Sequence, residues 1–280
     1  MRTAIAVINL CVLVWVGLPA APSAQERPAD TALRKSLDFV LDLYVRDGLV
    51  YYRALRHDRA KLDAYIAGAA TVPVEKLSRD EQVVFWLNTY NAVVLQTVID
   101  HYPIGSRSRD YPPHSIRQIP GAFERATHTL GGRKVTLDQI EKTILPGFRD
   151  PRVYFALGRG AVGGGRLRSE AFTPARLEQQ LTDVRNECVT RPQCWQADSS
   201  TNLVQVSSIF SWHDGEFIEA YAAGAPQAFA DRSPVERAVL AFVGPKLLTT
   251  EREFLDRNTF KMTFSPFDWT LNDLTGRGGR

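Results

Sequence analysis

An almost wholly apolar run occupies residues 85–95 and contains two amides, Asn88 and Asn91, three positions apart. The sequence Ser78-Arg79-Asp80-Glu81 just before it has the form of a capping box, which predicts that the run lies in a helix. A buried amide without a hydrogen-bond partner costs roughly 1–3 kcal/mol. The two asparagines therefore either form hydrogen bonds to other groups of the protein, as a structural lock, or belong to a binding site.

Helix start signals recur along the chain. Capping-box patterns begin at Thr136 and at Ser233, the second with Pro234 at the first helical position. Further helices are predicted over residues 31–46, 61–69, 174–186, 215–223 and 251–257. Short runs rich in β-branched or aromatic residues predict strands over 152–157, 203–206 and 260–264. Because these strands do not alternate regularly with helices, the predicted fold class is α+β, a helix-dominated single domain around a small sheet.

The N-terminal residues have the pattern of a secretory signal. Arg2 precedes an apolar stretch over residues 4–18, and small residues follow up to Ala24. The predicted segments are a signal peptide over 1–24, an N-terminal helix and lead-in over 25–46, the main domain over 47–272 and a disordered basic tail over 273–280. No membrane span is expected after cleavage, so the predicted location is periplasmic or secreted.

Charge and cysteine usage narrow the classes of partner. The chain has 34 Lys and Arg against 31 Asp and Glu, with no basic stripe interleaved with aromatics, which argues against nucleic acid as a partner. In an oxidising compartment, Cys188 and Cys194 are predicted to form a disulfide across a turn-prone spacer. The five histidines show no ligand spacing, so no metal site is predicted.

A glycine-rich segment over residues 158–165 contains the letters Gly-x-Gly-x-x-Gly of a dinucleotide-binding loop. That mechanism needs the third glycine to open a helix whose N-terminus faces the pyrophosphate, yet further glycines and a polar stretch precede Pro174 here. The segment is therefore interpreted as a flexible loop with left-handed turns, and no cofactor is predicted.

Four motifs, in order, resemble the domain of unknown function 547 family. They are residues 49–55, the run Trp-Leu-Asn-Thr-Tyr-Asn-Ala over 86–92, the helix start over 137–141, and the closing Phe-Asp-Trp-Thr-Leu-Asn over 267–272. The resemblance extends from about residue 47 to residue 272. It implies fold and membership, and it does not imply a reaction.

The sequence departs from that family's pattern after residues 152–157. Members usually carry two cysteines there, whereas the matching positions here are Arg159 and Gly164. If a relative used one of those thiols as a nucleophile or redox centre, this chain does not share that chemistry. If the cysteines were structural, their loss implies only a looser loop.

Polar side chains in apolar surroundings are the candidate site residues. Glu141 lies three residues after Asp138 on one helix face, where two carboxylates could share a proton, hold a cation or simply favour the helix start. His213 replaces the family's usual tyrosine with a side chain suited to proton exchange. Asp268 is predicted to dock against the helix of Asn88 and accept a hydrogen bond from an asparagine amide or a tryptophan indole.

These considerations give two sets of candidates. Those for catalysis are Glu141, His213 and Asp268, and those for binding are Asn88, Tyr90, Asn91, Arg159, Trp269 and Asn272. The preferred interpretation is a non-catalytic exported module that binds an envelope component or a small molecule. The alternative is an extracytoplasmic hydrolase or transferase with a polar cleft built around Asn88, His213 and Asp268.

Overall fold

Helices and short strands alternate irregularly along residues 28–275, the part that the computed structural model describes, with side chains from residue 31. The helices are α1 (Pro28–Tyr44), α2 (Tyr52–His57), α3 (Ala60–Ala69), α4 (Arg79–His101), α5 (Leu137–Gln139), α6 (Leu177–Val189), α7 (Ile209–Trp212), α8 (Asp214–Tyr221), α9 (Pro234–Val243) and α10 (Thr249–Asp256). The strands are β1 (Val45–Arg46), β2 (Leu49–Val50), β3 (His128–Leu130), β4 (Arg133–Val135), β5 (Trp195–Asp198), β6 (Leu203–Ser207) and β7 (Lys261–Ser265). The predicted helix-dominated α+β class is confirmed.

Helix α4 lies at the centre of the fold. Its side chains are buried all round from Val83 to Leu95, and α2 and α3 pack against it. A helix that is apolar on every face must be enclosed by other elements, which explains its position. The predicted capping box is present, since the Ser78 hydroxyl accepts from the Glu81 backbone and the Glu81 carboxylate accepts from the Ser78 backbone.

The only three-stranded sheet among the described residues has the order β5-β6-β7. Strands β5 and β6 are antiparallel, and β6 and β7 are parallel. Val204 and Val206 of β6 are buried in the core, so the alternate residues Gln205 and Ser207 belong to the opposite face. The predicted strands at 203–206 and 260–264 are confirmed by β6 and β7.

The predicted strand over 152–157 is wrong. Residues Pro151–Phe155 form a 3₁₀ helix, with the Asp150 carboxylate accepting from the Arg152 backbone at its start. Proline has the backbone angle of a first helical residue and no N–H to give to a sheet, so this local cap outweighs the strand preference of Val153 and Tyr154.

The glycine-rich segment is packed against other backbone. A Cβ on Gly165 would lie 1.8 Å from the Phe155 carbonyl oxygen, so only glycine fits there. Left-handed turns occur at Arg159 and Gly160, as predicted for the segment. The C-terminal chain docks on it, because Val162 donates to the Thr270 carbonyl and Gly163 donates to the Asp268 carbonyl.

The predicted disulfide between Cys188 and Cys194 is confirmed and joins the end of α6 to the start of β5. Among residues 28–275, no helix has both the length and the apolarity needed to cross a membrane. The predicted signal peptide and most of the predicted basic tail lie outside the described residues. Asp273, at the start of that tail, is buried and accepts a hydrogen bond from the Tyr102 hydroxyl.

Candidate functional site

Both asparagines of α4 bind backbone groups from the segment that follows the 3₁₀ helix. Asn88 donates to the Phe172 carbonyl at 3.0 Å and accepts from the Phe172 N–H at 2.9 Å. Asn91 donates to the Ala156 carbonyl at 3.0 Å and accepts from the Gly158 N–H at 2.9 Å. Each amide is buried and uses both its donor and its acceptor on main chain, so the pair is a lock that fixes residues 156–172 against α4.

The predicted contact between Asp268 and the asparagines is wrong. Asp268 is exposed, and its carboxylate accepts from the Thr270 backbone at 2.9 Å. The asparagine amides are already occupied by the segment 156–172, and the C-terminal motif packs on the glycine-rich segment instead. Asn272 also fixes backbone, because it donates to the Gly48 carbonyl at 2.9 Å and accepts from the Tyr52 hydroxyl at 2.6 Å.

The cleft proposed around Asn88, His213 and Asp268 is therefore not formed by those three residues. Asn88 borders a small apolar cavity of about 50 Å³, and Asp268 borders a groove next to the three-stranded sheet. His213 lines a separate, larger cleft of about 410 Å³. We call this the charged cleft, and its lining residues are Arg117, Phe123, Asp138, Glu141, Lys142, Arg159, Trp212, His213, Glu216 and Trp269.

Glu141 is the centre of the floor of the charged cleft. One of its oxygens accepts from Arg159 Nη2 at 2.6 Å and from His213 Nε2 at 3.1 Å, and the other accepts from the Tyr90 hydroxyl at 3.0 Å. All four side chains are buried. The fold thus unites four of the candidates predicted from the sequence in a single hydrogen-bonded cluster.

Opposing effects set the charges in this cluster. Burial alone would raise the pKa of Glu141, but the charge of Arg159 and the hydrogen bonds from His213 and Arg159 outweigh it and hold the pKa below its usual range. Burial would lower the pKa of Arg159, and the charge of Glu141 reverses this and raises it. Burial, followed by the charge of Glu141, raises the pKa of Tyr90 well above its usual value. At neutral pH the cluster contains a carboxylate, a guanidinium and a neutral phenol.

Local structure places Glu141 and Arg159 in the floor. The predicted capping box at Thr136 opens α5, and a π-helical turn over Ile140–Ile144 follows it and carries Glu141. Such turns are rare and occur frequently at functional sites. Arg159 has a left-handed backbone, φ 51°, and its Nη1 donates to the Tyr154 carbonyl at 2.9 Å.

His213 is fixed on two sides. Its ring stacks on Tyr154 at 3.5 Å between centroids, and the Tyr154 hydroxyl donates to Glu216 at 2.9 Å. An ionised carboxylate can only accept, so the hydrogen bond to Glu141 requires the proton on His213 Nε2. In the neutral ring Nδ1 then holds the lone pair, and it lies 4.0 Å from the Glu216 carboxylate.

Aromatic rings form one wall of the charged cleft. Phe267 lies 4.8 Å from Trp212 and 4.4 Å from Trp269 between ring centroids, and we call these three residues the aromatic ridge. Trp212 is 44% exposed although it is large and apolar. Arg117 covers the outer side, with its guanidinium 4.6 Å from the Trp269 ring.

Sequence reasoning missed several residues of the cleft. Trp212 and Glu216 could have been found from the sequence, because Trp212 is adjacent to His213 and Glu216 lies three residues after it. Arg117 gave no local signal, because it lies in a short 3₁₀ helix, Ile116–Gln118, within the long proline-rich segment before β3. The buried Gln118 side chain holds this segment by accepting from the N–H groups of Arg107 and Ser108. Among the residues that the structure describes, no group of three or more His, Cys, Asp or Glu side chains is arranged to hold a metal ion.

Residues 74–189 match the model of the family described as "Protein of unknown function, DUF547". This segment of the chain is similar to DUF547. The resemblance predicted from the sequence is confirmed over these residues, whereas the motifs at 49–55 and 267–272 lie outside the match. Comparison with curated proteins gave no match, and comparison with solved structures gave none either.

The charged cleft extends beyond the matched segment. The DUF547 match includes the ion pair of the floor, Glu141 and Arg159, and Tyr90, whose hydroxyl donates to Glu141. His213 and the aromatic ridge come from the chain that follows the match. The DUF547 segment thus supplies the buried ion pair of the floor, and the C-terminal part of the chain supplies the imidazole, Glu216 and both tryptophans of the lining.

Proposed function

We propose that this protein is an exported, non-catalytic binding module of the cell envelope, and that its ligand occupies the charged cleft. The observation that carries the proposal is an open cleft whose floor is oriented by the protein itself. Arg159, His213 and Tyr90 each donate a hydrogen bond of 3.1 Å or less to the Glu141 carboxylate. Polar groups that are oriented before binding lose little freedom when a ligand arrives. The cleft volume of about 410 Å³ is in the range of small-molecule sites.

The charge balance of the cleft favours a polar ligand without a large net charge. Its cations have carboxylate partners: Arg159 pairs with Glu141, Lys142 with Asp138, and Arg117 with Glu124. A strongly charged ligand would have to break one of these pairs. The exposed Trp212 ring adds a flat surface that suits a ligand with a ring.

Export is supported by two features of the chain. The N-terminal residues have the composition of a secretory signal, and the cysteines that follow form a disulfide. A direct test is to express the full chain in a bacterium and sequence the N-terminus of the periplasmic protein. Recovery of uncleaved protein only from the cytoplasm would contradict export.

The binding proposal is tested by titration calorimetry of the mature protein against soluble envelope fragments. The panel comprises oligosaccharides, a wall disaccharide-peptide and short peptides. Trp212→Ala is expected to weaken binding by about tenfold, whereas Phe39→Ala, which removes another ring that is 44% exposed, leaves it unchanged. If Trp212→Ala bound the ligand as tightly as Phe39→Ala does, the ligand would lie outside the charged cleft. If no member of the panel bound, the proposal would be overturned.

A second candidate function is hydrolysis, with His213 as general base. The observation that favours it is the 3.1 Å hydrogen bond from Nε2 to Glu141, which orients the ring and leaves Nδ1 to take a proton from water. Release of new chain ends from a bound fragment, lost in His213→Gln with binding retained, would identify an enzyme. A fragment that binds and is recovered intact after long incubation identifies the binding module.

A further inference from the structure

A second groove, with a different chemical character, lies beside the charged cleft. It has a volume of about 370 Å³, and amide and hydroxyl side chains dominate its lining. We call it the neutral groove and define it by Gln193, Gln196, Gln205, Ser207, Ser208 and Asp268. Asp268 is the sole charged residue of the lining among the described residues.

The register of the three-stranded sheet builds this groove. Gln196 of β5 pairs with Gln205 of β6, and Ser207 of β6 pairs with Ser265 of β7. Paired residues share a face, so these side chains lie together on the face opposite to Val204 and Val206. The short disulfide loop carries Gln193 to the same groove.

Two of the groove's side chains bind nearby backbone, since Ser207 accepts from the Ile209 N–H and Asp268 accepts from the Thr270 N–H, but the fold that the structure describes does not use the other four. Within residues 28–275, the side-chain amides of Gln193, Gln196 and Gln205 make no hydrogen bond to protein. The Ser208 hydroxyl oxygen is buried and also lacks a partner within that part of the chain. Because a buried hydroxyl is costly to leave unpaired, Ser208 would gain from a ligand hydrogen bond, and the more accessible glutamine amides are free to form further ones.

The aromatic ridge joins the neutral groove to the charged cleft. Phe267 lines the neutral groove, while its ring contacts Trp212 and Trp269, which line the charged cleft. A chain-like ligand can therefore pass from one to the other over the exposed Trp212 ring and the partly buried rings of Phe267 and Trp269. Aromatic faces carry partial negative charge and attract C–H groups, which a sugar ring presents on its faces.

We infer that the ligand is a neutral glycan chain that extends across both sites. Sugar units in the neutral groove exchange hydrogen bonds with the glutamine amides and Ser208, one unit stacks on the aromatic ridge, and the next enters the charged cleft. This inference rests on the proposed function and names its ligand class.

The lining favours a glycan over an anion or a charged peptide. Glutamine and serine each offer donors and acceptors, which matches sugar hydroxyls that do both. The neutral groove has no cation to pair with an anionic group, and Asp268 would repel one. A charged peptide would leave its charges without partners there.

The test uses calorimetry with the β-1,4-linked hexamers of N-acetylglucosamine and of glucose, and with the corresponding dimers. At least one hexamer is expected to bind at least tenfold more tightly than its dimer. The double variant Gln196→Ala/Gln205→Ala is expected to remove that advantage and leave the affinity for the dimer unchanged. Gln227→Ala, an exposed glutamine in another part of the surface, serves as the matched control and keeps the advantage.

The outcomes separate the two proposals. If dimer and hexamer bind equally well and the glutamine double variant has no effect, the extended site is overturned. The proposal that a ligand binds in the charged cleft still stands in that case. Binding of a peptide or wall disaccharide-peptide in the charged cleft, with no binding of any neutral glycan, overturns the ligand class but not the binding function. Thermal unfolding of each variant confirms that a lost affinity does not reflect a lost fold.

Discussion

Asn88 and Phe172 are 84 residues apart in sequence and are joined by two reciprocal hydrogen bonds of 3.0 and 2.9 Å. Replacing Asn88 by leucine keeps the branching and the number of side-chain heavy atoms, and it leaves the Phe172 N–H and carbonyl buried without partners. The free energy of unfolding is expected to fall by about 2–4 kcal/mol. Denaturant titration measures it, with Asn186→Leu in α6 as control, because that amide makes no hydrogen bond among the described residues. If Asn88→Leu unfolded at the same denaturant concentration as the wild type, these hydrogen bonds would not stabilise the fold.

Arg159→Met removes the cation that faces Glu141 at 2.6 Å and leaves a buried carboxylate uncompensated. Unfolding free energy is expected to fall by about 3–5 kcal/mol. In the double variant Arg159→Met/Glu141→Leu the loss should be smaller than the sum of the two single losses, because neither charge remains. Arg252→Met, at an exposed site on α10, provides the control. Additive losses would mean that the two charges are not coupled.

The lowered pKa of Glu141 predicts a dependence of stability on pH. The folded state binds this proton more weakly than the unfolded state, so the ionised carboxylate stabilises the fold above roughly pH 4.3, the ordinary glutamate value, and that contribution is lost as the pH falls towards the folded pKa. The stability gap between wild type and Glu141→Gln should therefore be largest at neutral pH and shrink in acid. Glu219→Gln, at an exposed carboxylate, should show a small and nearly constant gap. A gap for Glu141→Gln that widens in acid would reverse the assigned sign.

Gly165 has no room for a methyl group, since a Cβ would lie 1.8 Å from the Phe155 carbonyl oxygen. Gly165→Ala is expected to destabilise the fold by about 3 kcal/mol or more, because a backbone atom has to move. Gly147→Ala is the matched control, as a Cβ there meets nothing within 4 Å. Equal melting temperatures for the two variants would show that the glycine-rich segment yields easily.

The disulfide between Cys188 and Cys194 closes a short loop. Its reduction is expected to cost about 2–3 kcal/mol through the larger freedom of the unfolded chain. Thermal unfolding with and without reductant measures the effect, and Cys188→Ala/Cys194→Ala should melt at the temperature of the reduced protein. A reductant effect that persists in this double variant would point to a different cause.

Local signals in the sequence predicted much of the fold. The capping boxes at Ser78, Thr136 and Ser233 are all present, because a cap depends on residues within one helical turn. The strand expected over 152–157 was wrong for a related reason: Asp150 and Pro151, next to it, start a 3₁₀ helix. Local chemistry outweighed residue preference there.

The contacts of the candidate site residues could not be predicted from local sequence patterns. Glu141 and His213 are 72 residues apart, and no periodicity links them. The partners of Asn88 and Asn91 are backbone groups, which every residue possesses and no letter of the sequence marks. A prediction from sequence therefore favours a polar side chain such as Asp268 as their partner, although the true partners are backbone groups.

Two of the five tryptophans, Trp212 and Trp269, line the charged cleft, whereas Trp86 and Trp195 are buried in the core. The fifth, Trp15, belongs to the predicted signal peptide. Among the four tryptophans that the structure describes, a ligand that covers the cleft would change the solvent around only the first two indoles. The protein thus has an intrinsic fluorescent reporter of occupancy, and its emission spectrum can screen ligands without a label.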